Sequence, residues 1–254
     1  MNVAQKEQHY QLEGETYTKA YDFKGGRYKF LLNGREIDIY QWNKAANRYH
    51  SLFRKATRRN LIVRLIEKQR WALTRRSIGP RESSFLVDTG CEGGDIASTL
   101  ARRCRHLILL DVNEDMLSSL RAKMKDPTIS CLVADIYNIP FLKGSVDRIL
   151  CTEVLEHLID PQNAVREIER VLKPGGRVVV SVPNDRFNLW IKKRLIRLGL
   201  GPALGIRNAN LPMGHLHIFD KDSLKSLFSP NIRTVKLFYN FPWFTYIFCI
   251  VEKQ

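Results

Sequence analysis

The segment from Phe85 to Asp95, F-L-V-D-T-G-C-E-G-G-D, constrains the fold more than any other part of the chain. It opens with an apolar run that is typical of a buried strand, and Asp88 ends that run. Glycines follow at positions 90, 93 and 94, and a helix-like segment comes after them. Because glycine permits a tight turn and the close approach of a ligand, this pattern favours a nucleotide pocket in an α/β sheet.

Asp111 supports this interpretation. It ends the next apolar run, His106 to Leu110, roughly twenty residues further on. That spacing places a carboxylate at the tip of the second strand, where it can accept hydrogen bonds from ribose hydroxyls. The loop has no Gly-Lys-Ser/Thr, which argues against a phosphate-cradling P-loop.

Apolar runs alternate with helical segments from residue 85 onwards, which predicts a parallel, doubly wound sheet. Strands are predicted at about 85–89, 106–111, 130–134, 147–152 and 176–182, and helices near 93–103, 113–124, 160–172 and 221–228. Two last runs, 233–238 and 244–252, leave no room for a crossover and should form an antiparallel hairpin. We therefore predict an α/β fold with a mostly parallel seven-stranded sheet.

The N-terminal part differs in pattern and in charge. Asn33-Gly34 lies between two apolar runs and predicts a β-hairpin, and residues 41–76 have a helical pattern. We divide the chain into a basic N-terminal extension and helical cover, residues 1–54, and a sheet domain, residues 55–254. An insertion runs from about residue 184 to 213 of that domain.

The net charge of +15 favours anionic partners: nucleic acid, acidic lipid headgroups or an anionic substrate. Residues 1–80 hold 17 Lys or Arg against 7 Asp or Glu, so the basicity is concentrated before the glycine loop. A solvated helix surface explains the same charge equally well. No apolar run reaches eighteen residues, and the five cysteines form no C-x-x-C pair. These features predict a cytoplasmic protein, with attachment to a membrane surface left open.

Six motifs, in this order, resemble those of the class I S-adenosylmethionine-dependent methyltransferases over roughly residues 55–254. They are V-D-T-G-C-E-G-G, L-L-D-V-N-E-D-M-L, V-A-D-I, C-T-E-V-L-E-H, V-L-K-P-G-G-R-V-V-V-S-V-P-N and G-H-L-H-I-F. The resemblance implies a Rossmann-like methyltransferase fold, S-adenosylmethionine as cofactor and S-adenosylhomocysteine as product. It also implies that Asp88, Gly90, Cys91 and Gly94 line the methionine and ribose part of the cofactor.

The remaining cofactor contacts implied by the resemblance lie after the next strands. Asp111 would bind the ribose hydroxyls, with Val112 beside the adenine. Asp135 would accept a hydrogen bond from the adenine amino group, and Ile136 would donate its backbone N–H to the ring. Thr152 and Glu153 would close the pocket. This chain departs from the usual G-x-G-x-G at its middle glycine, where Glu92 stands.

An O-methyltransferase needs a base near the tip of the fourth strand of the sheet domain. His157 is the first candidate because imidazole titrates near neutral pH, and His215 and His217 are second candidates. A histidine that only packs and orients the loop is the alternative. Glu153, Glu156 and His157 form E-x-x-E-H, which resembles ubiquinone-pathway O-methyltransferases and implies a magnesium-type ion on one helical face. Metal-free relatives carry the same letters.

The acceptor is constrained mainly by what is missing. The fourth strand ends in Cys-Thr-Glu rather than Asn/Asp-Pro-Pro-Tyr/Phe, which speaks against methylation of nucleobase amines. Residues 187–198 form a basic amphipathic pattern around Trp190, which indicates either membrane-surface binding or a lid. We predict O-methylation of a small molecule or a lipid- or sugar-linked hydroxyl near a membrane. The alternatives are an RNA methyltransferase that uses the basic N-terminal region, and a non-catalytic binding protein, motivated by Glu92.

Overall fold

The computed structural model describes residues 7–22, 27–38, 41–42, 45, 60–79, 81–202, 206 and 213–254. The chain divides into two units. The first comprises residues 1–64 and 189–215, and the second comprises residues 65–188 and 216–254. Each unit is described by itself. The predicted boundary at residue 54 lies outside the described residues and stays a prediction.

The first unit contains a four-stranded antiparallel sheet. Its strands follow chain order: β1 (Glu7–Leu12), β2 (Glu15–Asp22), β3 (Arg27–Leu32) and β4 (Arg35–Ile37). Asn33 and Gly34 join β3 to β4 with φ angles of 49° and 81°, as the two-residue hairpin turn requires. The hairpin predicted at this position is therefore confirmed. The β1–β2 hairpin, which turns at Glu13-Gly14, was not predicted.

Aromatic packing holds this sheet together. Trp42 is fully buried, and its ring lies 4.9 Å from that of Phe30, 5.8 Å from that of Tyr10 and 6.5 Å from that of Tyr17 (centroid distances). At these separations, four aromatic rings are enough to bury a large apolar area. The small sheet thus has a core of its own.

The second unit is built on a seven-stranded sheet whose order is β10-β11-β9-β8-β5-β6-β7. Its strands are β5 (Phe85–Thr89), β6 (His106–Asp111), β7 (Ile129–Val133), β8 (Val146–Thr152), β9 (Leu172–Pro183), β10 (Ile232–Tyr239) and β11 (Tyr246–Lys253). The first five are parallel, and β11 pairs antiparallel with both β9 and β10. The predicted fold class is confirmed, including the reversed C-terminal hairpin.

The described helices are α1 (Leu61–Ile78), α2 (Ala97–Leu100), α3 (Glu114–Lys123), α4 (Pro161–Val171), α5 (Asp185–Arg197) and α6 (Lys221–Lys225). Two single 3₁₀ turns cover Ala101–Arg103 and Leu155–His157. Side chains cap several helices: for example, Asn113 accepts from Met116 N, Asp160 from Asn163 N and Asp220 from Ser223 N. The predicted cap at Asp220 is confirmed. Among the described residues, no helix combines the length and apolarity needed to cross a membrane.

Two predicted boundaries moved. The helix expected at 93–103 begins only at Ala97, because the glycine loop extends through residue 94. The strand expected from residue 176 begins at Leu172, which pairs with Val146 of β8. The Lys173–Gly176 segment is thus part of the extended chain.

Candidate active site

The glycine loop follows β5 at the carboxyl edge of the parallel sheet. β5 lies between β6 and β8, where strand order changes direction along the sheet. This position is where open α/β sheets bind ligands. Gly90 N and Cys91 N donate to Leu110 O at 2.8 and 3.3 Å, so the loop is tied to the end of β6.

Two of the three glycines are required by close packing. Gly90 has a φ of +69°, and a Cβ there would lie 2.4 Å from Val154 Cγ2. Gly94 has a φ of +67°, and a Cβ there would lie 2.7 Å from Met124 Cε. At Gly93 the nearest atom to a Cβ would be 3.9 Å away. The loop therefore needs glycine at 90 and 94, the two positions assigned to the cofactor, and has room for a side chain at 93.

Glu92 occupies the place of the family's middle glycine without changing the course of the loop. Its φ is +45°, so it adopts the left-handed conformation that a glycine would adopt freely. Its side chain is exposed, and its N–H donates to Asp111 Oδ2 at 3.3 Å. Glu92 itself therefore adopts the strained left-handed backbone conformation that a glycine at position 92 would adopt without strain.

Asp111 stands at the tip of β6, as predicted, and organises the backbone around it. Oδ2 accepts from Glu92 N, and Oδ1 accepts from Asn113 N at 3.0 Å. Burial raises its pKa, although hydrogen bonds from Asn113 N and Val112 N oppose the shift. Carboxylate oxygens have about four lone-pair positions, so acceptor capacity remains for a ribose hydroxyl.

Asp88 is a second carboxyl group in this region, and it is only 3% exposed. Burial, and then the charge of Asp111, raise the pKa of Asp88 to about 7, while the Arg70 guanidinium lowers it. Burial also raises the pKa of the Cys91 thiol, with Asp88 contributing next. Cys91 therefore stays protonated and has no nucleophilic role.

The residues assigned to the adenine ring lie beyond β6 and β7. Val112 is 57% exposed and is thus open to a ligand. Asp135 is also exposed, and its carboxylate accepts from Tyr137 N at 2.9 Å within a turn. Ile136 packs its side chain into the core. The turn fixes Asp135 and Ile136 in place at the carboxyl edge, and their contacts with adenine stay predictions.

Glu153 follows β8 directly. It takes part in a network of hydrogen bonds and charges that the sequence motifs did not indicate. It has a φ of +58°, its N donates to Ser181 O at 2.9 Å, and its Oε1 accepts from Ser181 Oγ at 3.0 Å. Thr152 precedes it as the last residue of β8. Burial raises the pKa of Glu153 to about 7, against the opposing charge of Arg70.

Arg70 of α1 is the cation at the centre of this network. Its Nη2 lies 2.6 Å from Glu67 Oε2, its Cζ lies 5.4 Å from the Tyr246 ring centroid, and the Tyr246 hydroxyl donates to Glu67 Oε1 at 2.7 Å. Burial alone would lower the pKa of Arg70, but the charges of Tyr246, Glu67 and Glu153 raise it above its usual value. No local signal reveals these partners, because Glu67 and Tyr246 are 179 positions apart.

Glu156 and His157 follow on the 3₁₀ turn. His157 Nε2 lies 3.8 Å from Glu156 Oε1, and the His157 side chain is 30% exposed while that of Glu156 is 1% exposed. Neither carboxylate oxygen of Glu156 has a hydrogen-bond partner among the described residues. Burial, and then the charge of Glu153, raise the pKa of Glu156 well above its usual value. The pair thus joins a partly exposed imidazole to a buried carboxyl group.

The E-x-x-E-H motif does not lie on one helical face, which corrects the geometry expected from its spacing. Glu153 precedes the 3₁₀ turn in a left-handed conformation, and only Leu155–His157 are helical. The donor set of two carboxylates and one imidazole still fits a divalent ion, because Glu156 offers two unbonded oxygens. The metal stays a prediction.

His217 and His215 are the other two catalytic candidates. His217 Nε2 is 2.9 Å from Leu158 O, so this ring nitrogen holds the loop after the 3₁₀ turn. His215 is 6% exposed in the first unit, and its carbonyl accepts a hydrogen bond from Lys19 Nζ. His157 therefore remains the first candidate for the base, and the catalytic roles of His215 and His217 stay predictions.

Comparison with known proteins agrees with this geometry. Residues 87–180 match a family model described as a methyltransferase domain. The demethylmenaquinone methyltransferase of Clavibacter sepedonicus is 29% identical over 125 residues, which are 48% of this chain and 51% of that protein. Residues 87–180 therefore form a methyltransferase domain of the class I S-adenosylmethionine-dependent type. The first four of the six motifs lie within these residues.

Two further proteins, one compared by sequence and one by structure, are similar to this chain. The ubiquinone biosynthesis O-methyltransferase of Marinobacter nauticus is 32% identical over 103 residues, 39% of this chain and 43% of that protein. An S-adenosylmethionine-dependent methyltransferase from Mesorhizobium loti shares the fold, with a TM-score of 0.56 at 16% identity over 73% of this chain and 98% of that one. The chain spans about half or less of the length of the curated relatives it matches.

The residues present fit the cofactor that the methyltransferase family uses. Gly90 and Gly94 give the loop its left-handed turns, and Asp111 offers acceptors at the tip of β6. S-adenosylmethionine carries positive charge on its sulfonium and ammonium groups. The buried carboxyl group of Asp88 and the half-buried one of Glu153 provide a complementary surrounding.

Proposed function

We propose that this chain methylates a hydroxyl group of a small molecule or of a lipid- or sugar-linked acceptor. The observation that supports this most directly is the His157–Glu156 pair, which lies just beyond Glu153 at the tip of β8. A hydroxyl is a weak nucleophile until its proton is removed, and a neutral imidazole does this near neutral pH. The chain supplies such an imidazole beside the strand end that closes the cofactor pocket.

When bound, S-adenosylmethionine would supply an activated methyl group for transfer to the acceptor oxygen, with the cofactor's sulfur as the leaving group. His157 Nε2 accepts the hydroxyl proton during this transfer. The Glu156 carboxyl group lies 3.8 Å from that nitrogen, and it would stabilise the resulting imidazolium in its ionised form, which its burial disfavours. The ring then releases its proton to solvent through its exposed side.

The rate of methyl transfer to a simple catechol, measured against pH, tests the role of His157. We expect His157→Gln to lower the rate by about 10²–10⁴-fold and to remove the rise with pH that a neutral imidazole produces. His106→Gln is the matched control, because His106 begins β6 at the opposite edge of the sheet, with Nε2 2.9 Å from Ser130 Oγ. Equal losses in the two variants would show that His157 is not the base.

The named relatives support an acceptor of this chemical class. One relative is named for O-methylation in ubiquinone biosynthesis, and another for methylation of demethylmenaquinone. If a divalent ion also takes part, as the E-x-x-E-H resemblance implies, EDTA should abolish transfer and a divalent ion should restore it. Full activity in EDTA would remove the metal from the proposal.

We further propose that α5 rests on an anionic membrane surface. Trp190, Leu198 and Leu200 are 51%, 68% and 49% exposed, although all three are apolar. Lys193, Arg194 and Arg197 are exposed on the same segment, and Arg194 Cζ lies 5.4 Å from the Trp190 ring centroid. Exposed apolar groups flanked by cations are the pattern of helices that lie in the headgroup region.

Co-sedimentation with vesicles containing phosphatidylserine tests this surface. We expect the wild type to bind and Trp190→Ala/Lys192→Ala/Lys193→Ala to lose most of that binding. Lys123→Ala/Lys125→Ala removes the same number of positive charges from exposed positions elsewhere and should bind as the wild type does. Equal binding by both variants would refute the surface. Steeply salt-dependent binding of single-stranded RNA, with no vesicle binding, would favour the RNA methyltransferase alternative.

A third alternative is a binding protein that carries out no transfer, which Glu92 suggested. Calorimetric titration of S-adenosylhomocysteine distinguishes it from an enzyme. Glu92 keeps the loop in its left-handed course, so we expect micromolar affinity. Absence of binding would leave the glycine loop without a cofactor and would support the non-catalytic alternative.

A further inference from the structure

A basic cavity lies at the amino edge of the parallel sheet, away from the glycine loop. Its volume is about 160 Å³, and it is lined by the Arg81–Ser84 turn before β5, by Asp147 and Arg148 at the start of β8, and by Gly175 and Gly176 near the start of β9. These three strands are neighbours in the sheet. The methyltransferase mechanism uses none of these residues.

Arg148 is the central charged group of this cavity. The residue is only 8% exposed, and its Nη1 donates to Asp147 O at 2.9 Å. Its Nε is buried and has no hydrogen-bond partner among the described residues. Buried guanidinium groups are rarely left in this state, because an unmade hydrogen bond to a charged group is costly.

The carboxylates near Arg148 are already engaged. Asp147 Oδ1 is 2.8 Å from Lys173 Nζ, and its Oδ2 accepts from Phe85 N at 2.9 Å. Glu252 is shared, with Oε1 2.6 Å from Arg177 Nη2 and Oε2 2.7 Å from Arg233 Nη2. Positive charge around the cavity therefore exceeds the negative charge that is available to it.

Arg81 adds a second guanidinium at the rim. It is exposed, and it makes no ion pair with any residue that the structure describes. Its backbone N lies 3.3 Å from Ser84 Oγ, and Ser84 N donates back to Arg81 O at 2.8 Å, so the turn that carries Arg81 is closed by hydrogen bonds. Burial, and then the charges of Arg177 and Arg81, lower the pKa of Arg148, while the charges of Asp147 and Glu252 oppose this shift.

The size and composition of the cavity define the class of ligand. A water molecule takes about 30 Å³ in the liquid, so the cavity holds roughly five waters, which is room for one tetrahedral oxyanion. Guanidinium groups and serine hydroxyls are the usual ligands of phosphate oxygens. At Gly175 the cavity wall is formed by backbone with free space beside it, because a Cβ placed there would have no atom within 4 Å.

We propose that this cavity binds a phosphate-type oxyanion, with Arg81 and Arg148 as its charged ligands. Free phosphate and the phosphate group of a small monoester share this chemistry. The site is separate from the methyl-transfer site, since it lies at the opposite ends of the same strands. It gives the domain a second ligand, whose binding is measurable without any methyl acceptor.

Thermal unfolding in inorganic phosphate, with ionic strength held constant by NaCl, tests the proposal. At a phosphate concentration tenfold above Kd, we expect the wild-type Tm to rise by about 3–5 °C, and to go on rising with the logarithm of the phosphate concentration. Arg148→Met should remove this rise while the protein stays folded, because an apolar side chain of similar volume replaces a buried, incompletely bonded charge. Arg81→Ala, at an exposed position, should weaken phosphate binding at least tenfold.

Arg103→Ala is the matched control, because it removes an exposed arginine from outside the cavity and should keep the full phosphate effect. Calorimetric titration of phosphate and of glycerol 3-phosphate identifies the source: tighter binding of glycerol 3-phosphate indicates a monoester, and tighter or equal binding of phosphate indicates the free ion. A phosphate effect that is the same in all four proteins, or that rises linearly rather than logarithmically with phosphate concentration, would overturn the proposal.

Discussion

Asp88→Asn is the substitution that most directly tests how the cofactor edge is built. Asp88 lies in β5 with 3% exposure, and its pKa is raised from 3.8 to about 7 by burial and by Asp111. A carboxyl group whose pKa is raised by folding stabilises the folded state while it is protonated. That contribution is complete below about pH 4 and is lost as the pH rises through 7.

The difference of roughly three pKa units corresponds to about 4 kcal/mol, at 1.36 kcal/mol per unit. The amide of asparagine has nearly the same shape and does not ionise, so the variant escapes this loss. We therefore expect Asp88→Asn to be more stable than the wild type by about 2–4 kcal/mol at pH 8, and equal within about 0.5 kcal/mol at pH 4. The variant should also bind the cationic cofactor more weakly.

Urea denaturation followed by circular dichroism at pH 4, 5, 6, 7 and 8 measures this difference. Glu153, whose pKa is also about 7, adds its own pH dependence to both proteins and cancels in the comparison. Glu82→Gln, at an exposed position before β5, is the control and should change stability little at any pH. A difference between Asp88→Asn and the wild type that is the same at pH 4 and pH 8 would refute the reasoning.

The remaining predictions concern the loop and the second strand tip. Asp111→Ala should weaken S-adenosylhomocysteine binding by about 1–3 kcal/mol in calorimetry, the usual cost of losing a charged hydrogen-bond partner; unchanged affinity would contradict the ribose contact. Gly90→Ala should lower the free energy of unfolding by more than about 1 kcal/mol, because its Cβ would lie 2.4 Å from Val154 Cγ2 at a left-handed φ. Gly93→Ala, where the nearest atom is 3.9 Å away, should be close to neutral, and equal costs at the two glycines would contradict this account.

The sheet of the methyltransferase domain was predictable because its strands are short apolar runs bounded by turn residues. β5 and β6 have the boundaries expected, and β7, β8, β10 and β11 differ by one or two residues at each end. The N-terminal sheet was predictable only in part. Asn33-Gly34 predicts its turn directly. The Glu13-Gly14 turn was not predicted, because nothing in the sequence indicates that Glu13 adopts a left-handed conformation.

The residues of the candidate active site also fall into two groups, those that the sequence predicted and those that it did not. Residues that follow directly from motif spacing, such as Asp111, lie where they were expected. The Arg70–Glu67–Tyr246 network was missed because it joins α1 to the last strand of the sheet, and tertiary packing alone brings these residues together. The helical face expected for Glu153 and Glu156 was wrong for a related reason. The backbone hydrogen bond from Glu153 N to Ser181 O holds the chain to β9 before a helix begins.

The charges of the second unit differ between the two edges of its sheet, and this bears on the acceptor. Buried and half-buried carboxyl groups, among them Asp88, Glu153 and Glu156, lie at the carboxyl edge, and the Arg148 cavity lies at the amino edge. The carboxyl edge therefore suits a sulfonium cation and an uncharged hydroxyl acceptor. A phosphate of RNA brought to the same edge would meet buried negative charge, which the basic N-terminal region would have to offset. The net charge of +15 thus describes the surface as a whole, and the local charge at each edge decides what binds there.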